Sequence, residues 1–323
     1  MLKRRSLLAL PMACSALAAQ GVLAQGGFPE KPIRVVLPFA SGSGSDASLR
    51  YVTSKIAQAT GWTFVVDNKP GGNSFIGVHD FMRASADGYT LLYSGGTTHG
   101  VNSALFKQLP YDPVKDMVPV VSVVFSPMVL LARPSLQVDT TAQLVELIRK
   151  QPGKYTAATG SAFQQLAVHL LRHEAGLDFH DVAYKGSAQS MTDLLGGHVD
   201  FTIVDGGAAM PMVRSGKLKA LAVTSGRRVA ALPDTPTMAE AGLPDIRLNG
   251  WAAFFARAGT PQPVLEKLRQ AFNQYLQSAD YEKYAAENAS FHENLSPKQM
   301  NQFIRSEIER AKSTFQRAGL KPQ

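Results

Sequence analysis

The strongest constraint on this chain is a unit that recurs along it: a short apolar strand, a glycine-rich loop, then an amphipathic helix. Residues 33–39 read as a buried strand, and a Gly/Ser loop of Ser41, Gly42, Ser43, Gly44 and Ser45 follows. Asp46 is predicted to cap a helix whose apolar positions Leu49, Val52, Ile56 and Ala59 share one face, with Gly61 at its end. The unit repeats with a strand at 63–66, a loop at 68–72, a helix at 75–84, and a strand at 90–94 that runs into Gly95 and Gly96. Chains patterned this way fold as α/β proteins around a mostly parallel sheet.

The pattern breaks once and then restarts. Residues 118–124 and 128–132 read as extended segments split by Ser126-Pro127, as expected of a crossing between two bodies. Beyond them come a helix at 140–150, a strand at 155–158, a loop at Thr159, Gly160 and Ser161, and a helix at 162–175. A strand at 182–184, a loop at Lys185, Gly186 and Ser187, a helix at 188–195, and strands at 199–204 and 218–224 complete the second series. An apolar strand at 250–255 returns, and amphipathic helices at 263–277 and 297–318 end the chain. The expected architecture is two α/β lobes joined by a crossover hinge near Val124 and Asn249. Residues 25–124 with 249–323 form one lobe and 125–248 the other, with a ligand cleft between them.

The N-terminus carries an export signature. Lys3, Arg4 and Arg5 precede a short apolar run at 7–19, and Val22-Leu23-Ala24 offers a peptidase site, with cleavage expected after Ala24. The run is shorter than the roughly 20 residues a spanning helix needs. Arg4-Arg5 followed by Ser6-Leu7-Leu8 leaves both the general secretory and the twin-arginine route open. The one cysteine, Cys14, falls in this segment, and Pro11 stands where a lipoprotein site would have leucine. The mature chain is therefore expected to hold together by its core alone, which its length permits. The 33 basic residues, less the three in the leader, exceed the 25 acidic ones only mildly, and they are scattered. Nucleic-acid binding, which needs clustered Lys and Arg or a known module, is not expected. No exposed apolar stripe asks for a second copy, so a monomer is expected.

The chemistry concentrates in the strand-to-helix loops. In open α/β sheets, ligands bind at the carboxyl ends of strands. There the first turn of each helix leaves N–H groups unpaired, and these with the helix dipole attract anions. Four loops fit: 41–45, 95–102, 159–162 and 185–187. Each is also a common turn composition; together they outline an amide- and hydroxyl-rich cradle for carboxylates. Asp205 ends a strand and reads equally as a ligand acceptor or as the cap of the next helix. Phe163 reads as a pocket wall or as packing, and Trp251, Phe254 and Phe255 as core.

No cofactor, metal or catalytic machinery is expected. The 41–45 loop has Gly-x-Gly, but Ala47 holds the third glycine position, and no Gly-Lys-Ser/Thr loop exists. There is no Gly-x-Ser-x-Gly elbow. His169 and His173 share a helix face, yet Leu170-Leu171-Arg172 stands between them without the glutamate of a zinc protease helix.

Read in order, a set of segments resembles the Bug/TctC receptors, the periplasmic subunits of tripartite tricarboxylate transporters. They are Val35-Val36-Leu37-Pro38-Phe39 with its glycine loop and Asp46, then Asp67-Asn68-Lys69-Pro70-Gly71-Gly72, Asp87-Gly88-Tyr89-Thr90-Leu91-Leu92 and Leu109-Pro110-Tyr111-Asp112-Pro113. Tyr184-Lys185-Gly186-Ser187, Asp193-Leu194-Leu195-Gly196-Gly197, 216–224, 232–237 and 240–244 continue the match through the mature chain. The resemblance implies a type II periplasmic-binding fold, a periplasmic location, and capture of a small carboxylate for delivery to integral-membrane permease subunits. It implies no enzyme. Carried over by position, the ligand-binding residues would be Ser41, Gly42, Ser43, Gly44, Ser45, Thr97, His99, Asn102, Thr159, Gly160, Ser161, Lys185, Gly186 and Asp205, with Phe163 as an added wall. Two loops depart from the family pattern. The first lacks Pro-Gly-Gly, and Thr159-Gly160-Ser161-Ala162 replaces Gly-Asn-Gly-Thr, followed by Phe163, which would suit a flat aromatic acid. A sensory receptor docking on a histidine kinase and a hydrolase on the same scaffold remain alternatives.

Overall fold

A computed structural model describes residues 27–317 and 319–323. The leader reading, with Cys14 and the site after Ala24, lies outside the described residues. Among those described, no helix is long and apolar enough to cross a membrane.

Nine strands form one hydrogen-bonded sheet, eight of them in a single path and the ninth branching from it. In the first lobe, β1 (Ile33–Leu37) pairs in parallel with β2 (Phe64–Asn68) and β3 (Thr90–Gly95). In the second, β5 (Thr156–Thr159) pairs in parallel with β6 (His180–Ala183) and β7 (Phe201–Asp205). The sheet is nevertheless mixed rather than mostly parallel. β4 (Met117–Ala132) and β9 (Asn249–Arg257) run antiparallel to each other, β9 also to β3, and β4 also to β7 and to β8 (Lys219–Val223). A chain that leaves one lobe and must return supplies one strand in each direction, and these two meet at the crossing.

The two extended segments expected around Ser126-Pro127 are one 16-residue strand. Its first part, to Pro127, pairs with β9, and its last five residues pair with β7 and β8. Pro127 sits where the strand changes partners, a position that tolerates the missing N–H. Register shifts at Pro119/Val121 and Ser122/Val124 bend the strand just before this point.

Each lobe packs helices on both faces of its sheet. α1 (Gly44–Thr60) lays Leu49, Val52 and Ile56, all fully buried, against β1 and β3 together with Leu268 and Phe272 of α8 (Gln262–Leu276). Ala59, expected on that face, is exposed near the end of the helix. The opposite face is closed by Met300 and Ile304 of α10 (Pro297–Arg317) over Trp251 and Phe255. In the second lobe, α5 (Ala162–Ala175) buries Ala167, Leu170 and Leu171 against β5 and β7. The helix that Asp205 could cap is α7 (Gly206–Arg214), which starts with two glycines and holds Pro211, and a further helix that the sequence does not announce, α9 (Ala279–Glu287), buries only Tyr281 and Ala285. Tertiary packing outweighs weak local propensity in both.

His169 and His173 do not form a shared site. His169 Nε2 lies 2.8 Å from Asp181 Oδ2 and its Nδ1 3.2 Å from Arg172, while His173 is half exposed beside Glu174.

Candidate functional site

The strand order puts the carboxyl ends of β1, β3, β5, β6 and β7 around one cleft of about 380 Å³ between the lobes. This lies in the size range of small-molecule sites.

The β1–α1 loop is organised by a side chain placed differently from expectation. Ser43, not Asp46, is the N-cap, and its hydroxyl accepts the Asp46 N–H at 3.2 Å. Asp46 sits in the first turn and reaches back. Its carboxylate accepts from Gly42 N (3.0 Å), Arg50 Nε (3.0 Å) and Asn68 Nδ2 (3.0 Å). Burial alone would push Asp46 up. The Arg50 guanidinium, the Gly42 N–H and the Asn68 amide outweigh it and hold the carboxyl below the ordinary carboxylate range. A depressed carboxyl contributes stability that is present above its unfolded pKa and is lost as pH falls toward and through the folded one. Melting of the wild type should therefore drop in acid below about pH 4, and Asp46→Asn should flatten part of that limb. Parallel acid limbs in the two proteins would contradict this account.

The same contacts turn Ser41 and Gly42 away from the cleft. Ser41 is exposed with its hydroxyl toward Asp46, and Gly42 adopts a φ of 79° to aim its N–H there. Ser43, Gly44 and Ser45 line the cleft.

The segment after β3 is a π-helical turn, Gly96–Val101, leading into α3 (Asn102–Leu105). Thr97 faces the cleft, but His99 and Asn102 do not line it. The His99 ring stacks on Phe255 at 4.1 Å, its Nδ1 meets Thr98 Oγ1 at 2.8 Å, and burial pushes its pKa down to about 3. It is a neutral core group at physiological pH. Asn102 donates to Asn73 O (2.8 Å) and to the Tyr111 hydroxyl (3.2 Å), tying the turn to the neighbouring loop. The turn sends these two side chains inward, which composition cannot reveal.

In the second lobe, Thr159, Gly160, Ser161, Phe163, Lys185, Gly186 and Asp205 all line the cleft. Ser161 caps α5, accepting from Gln164 N at 3.2 Å. The Gly160 N–H is already committed to Gln164 Oε1 at 2.6 Å, and Gln164 Nε2 donates to Ser187 Oγ at 2.7 Å. Gln164, absent from the sequence reading, locks two loops together. By contrast, α6 (Ser187–Gly196) begins at Gly186 with no side-chain cap, so its first-turn N–H groups are the least committed donors in the cleft. Asp205 caps α7, accepting from Ala208 N at 3.0 Å as one of its two readings has it, and it also lines the cleft. Burial raises its pKa.

Beyond Phe163, sequence reasoning missed the aromatic share of the wall. Tyr93, Tyr284 and Trp251 all line the cleft. Tyr93 is hydrogen-bonded to Ser48 (3.0 Å), and Tyr284 is stacked on Tyr51 at 3.6 Å. Trp251 is buried as expected, yet its Nε1 has no partner among the described residues. The strand pattern of 90–94 could have flagged Tyr93, since it falls next to a glycine break.

The lobes are closed on one another. A methyl group built on Gly44 would lie 1.9 Å from Asp205 Oδ1, and one on Gly186 would lie 3.0 Å from Ala40 Cβ. Phe163 reaches across to Gly96, where a methyl would come within 3.2 Å of its ring. At the far edge, Arg317 of α10 pairs with Glu174 at 2.9 Å.

Two α/β lobes, a double-strand crossing and a closed cleft at the strand ends define a periplasmic-binding-type receptor. The known proteins it resembles agree. Rpa4515 of R. palustris, solved with adipate, superposes with a TM-score of 0.88 at 29% identity, over 92% of this chain and all of that one. MatC from Rhodopseudomonas palustris, solved with bound malate, gives 0.83 at 28% identity, over 89% and 99% of the two chains. Protein BugT of Bordetella pertussis is 33% identical over 91% of each chain. The profile of the tripartite tricarboxylate transporter family receptor matches residues 48–320. The chain belongs to that family.

Proposed function

We propose that this protein is a periplasmic receptor that captures a small carboxylate by closing its lobes and hands it to membrane permease subunits, without catalysis. The observation that carries the reading is the uncapped N-terminus of α6, facing the first turn of α1 across a closed cleft. Unpaired N–H groups and helix dipoles from both lobes favour one anion between them. The adipate and malate in the two related structures support the ligand class.

In this reading, residues 25–124 with 249–323 and residues 125–248 move as bodies about β4 and β9. Ser43, Gly44, Ser45 and Thr97 contribute from the first lobe, and Thr159, Ser161, Lys185 and Gly186 from the second. A ligand touching both lobes favours the closed state by its differential contacts.

The test is thermal shift against a panel of aliphatic and aromatic mono- and dicarboxylates, joined to small-angle scattering. A cognate acid at 100 times its Kd should stabilise the fold by about 2.7 kcal/mol and reduce the radius of gyration. No shift with any acid, from folded protein stripped of bound ligand, would overturn the carboxylate reading. Superposable scattering curves would overturn closure.

A further inference from the structure

A second space lies behind the hinge. At the crossing, the paired residues Ser126 and Gly250 line the ligand cleft, and the next pair, Pro127 and Asn249, lines a separate cavity of about 910 Å³. Successive residues of a strand point to opposite faces, so the two spaces lie on opposite sides of the ribbon there. The cavity takes one wall from each lobe. The loop after β8, Ser225 to Ala230, belongs to the second lobe, and the α8–α9 corner with Ala286 to the first. Among the described residues, no hydrogen bond or ion pair joins that loop to that corner. Between the two spaces the lobes touch. Arg214 of α7 donates to Glu287 O at the end of α9, and a methyl group built on Gly206 would lie 2.6 Å from Asn288 O. Tyr284 and Asn288 of this stretch line the cleft, while Ala285 and Ala286 line the cavity. At the cleft the lobes already meet, Gly44 against Asp205 and Gly186 against Ala40, whereas behind the ribbon they stand apart. Two bodies that pivot on a ribbon and on a contact beside it cannot separate on one side without approaching on the other.

We propose that this cavity is the counter-space of the hinge: it stays open only while the cleft is shut, and bulk placed in it holds the receptor closed. Affinity for the carboxylate is then set partly at residues that never touch it, through the fraction of empty protein that is already closed. This rests on the closure reading and says where the closing equilibrium can be biased.

The experiment adds a bulky side chain from each wall, Gly226→Trp and Ala286→Trp. Both positions are exposed and neither lines the cleft. A Cβ on Gly226 meets nothing within 4 Å, and its φ lies outside the left-handed region, so cooperative melting is expected of both variants. Small-angle scattering of the ligand-stripped proteins gives the radius of gyration. Calorimetry gives the affinity for whichever acid of the panel, adipate and malate included, compacts the wild type. The empty tryptophan variants should be more compact than the empty wild type and bind that acid at least about threefold more tightly, the ceiling being the reciprocal of the wild type's closed fraction. Gly226→Ala, too small to reach the far wall, should match the wild type. If the wild type compacts with an acid but both tryptophan variants keep its expanded empty curve, or bind no more tightly than it does, this inference falls and the closure reading stands. The same gain in Gly226→Ala would trace the effect to a stiffer loop and overturn the inference equally. If no acid compacts the wild type, both readings fall.

Discussion

Replacing Gly44 with alanine should weaken binding of the cognate acid by roughly 10- to 100-fold while leaving the empty protein as stable as before. The first position of a helix accepts alanine, and Gly44 has no left-handed φ that would require glycine. The obstacle lies across the cleft. The new methyl carbon would sit 1.9 Å from Asp205 Oδ1 and 2.8 Å from its Cγ, both in the other lobe. Asp205 cannot swing aside freely, because Oδ1 holds the Ala208 N–H at the start of α7. Closure then requires losing that cap or stopping short, a cost of about 1–3 kcal/mol. Only the closed state pays it, so the apparent affinity falls by the lost fraction of closed protein. Calorimetry gives the affinity, and scattering at saturating ligand should show a larger radius than wild type. An unchanged Kd would mean that the lobes do not meet at Gly44 when the ligand is bound.

That contact illustrates what was legible in advance and what was not. The buried strands, the helix spans and the return strand follow from period and glycine breaks: helix 162–175 was read to the residue. The loops that line the cleft were legible for the same reason, since strand ends and helix starts must converge there. Which atoms within a loop point inward was not. Ser43 and Asp46 are both good caps three residues apart, and composition cannot say which one caps and which reaches back to Gly42. His99 and Asn102 were carried over by resemblance, and the π-helical turn directs them into packing and backbone contacts instead. Tyr284 was invisible because its helix shows too little apolar periodicity. The cross-lobe approach of Gly44 to Asp205 joins residues far apart in sequence, and only the folded geometry reveals it.

A different glycine separates damage to the site from damage to closure. Gly160→Ala should lower both stability, by about 1–3 kcal/mol, and affinity, by roughly tenfold or more. Its methyl group would lie 2.5 Å from Gly186 C and 2.5 Å from Ser187 N, within one lobe and against backbone rather than a movable side chain. The β5–α5 and β6–α6 loops must separate, straining the bonds that Gln164 makes to Gly160 N and Ser187 Oγ. The displaced atoms belong to the start of α6, whose first-turn N–H groups are the donors assigned to the ligand carboxylate. Empty Gly160→Ala protein should therefore melt earlier, which Gly44→Ala should not, yet at saturating ligand its scattering should reach the compact wild-type curve. If Gly160→Ala melts and binds as wild type does, the two loops are looser than their packing indicates, and the α6 N-terminus is not held where a carboxylate could use it.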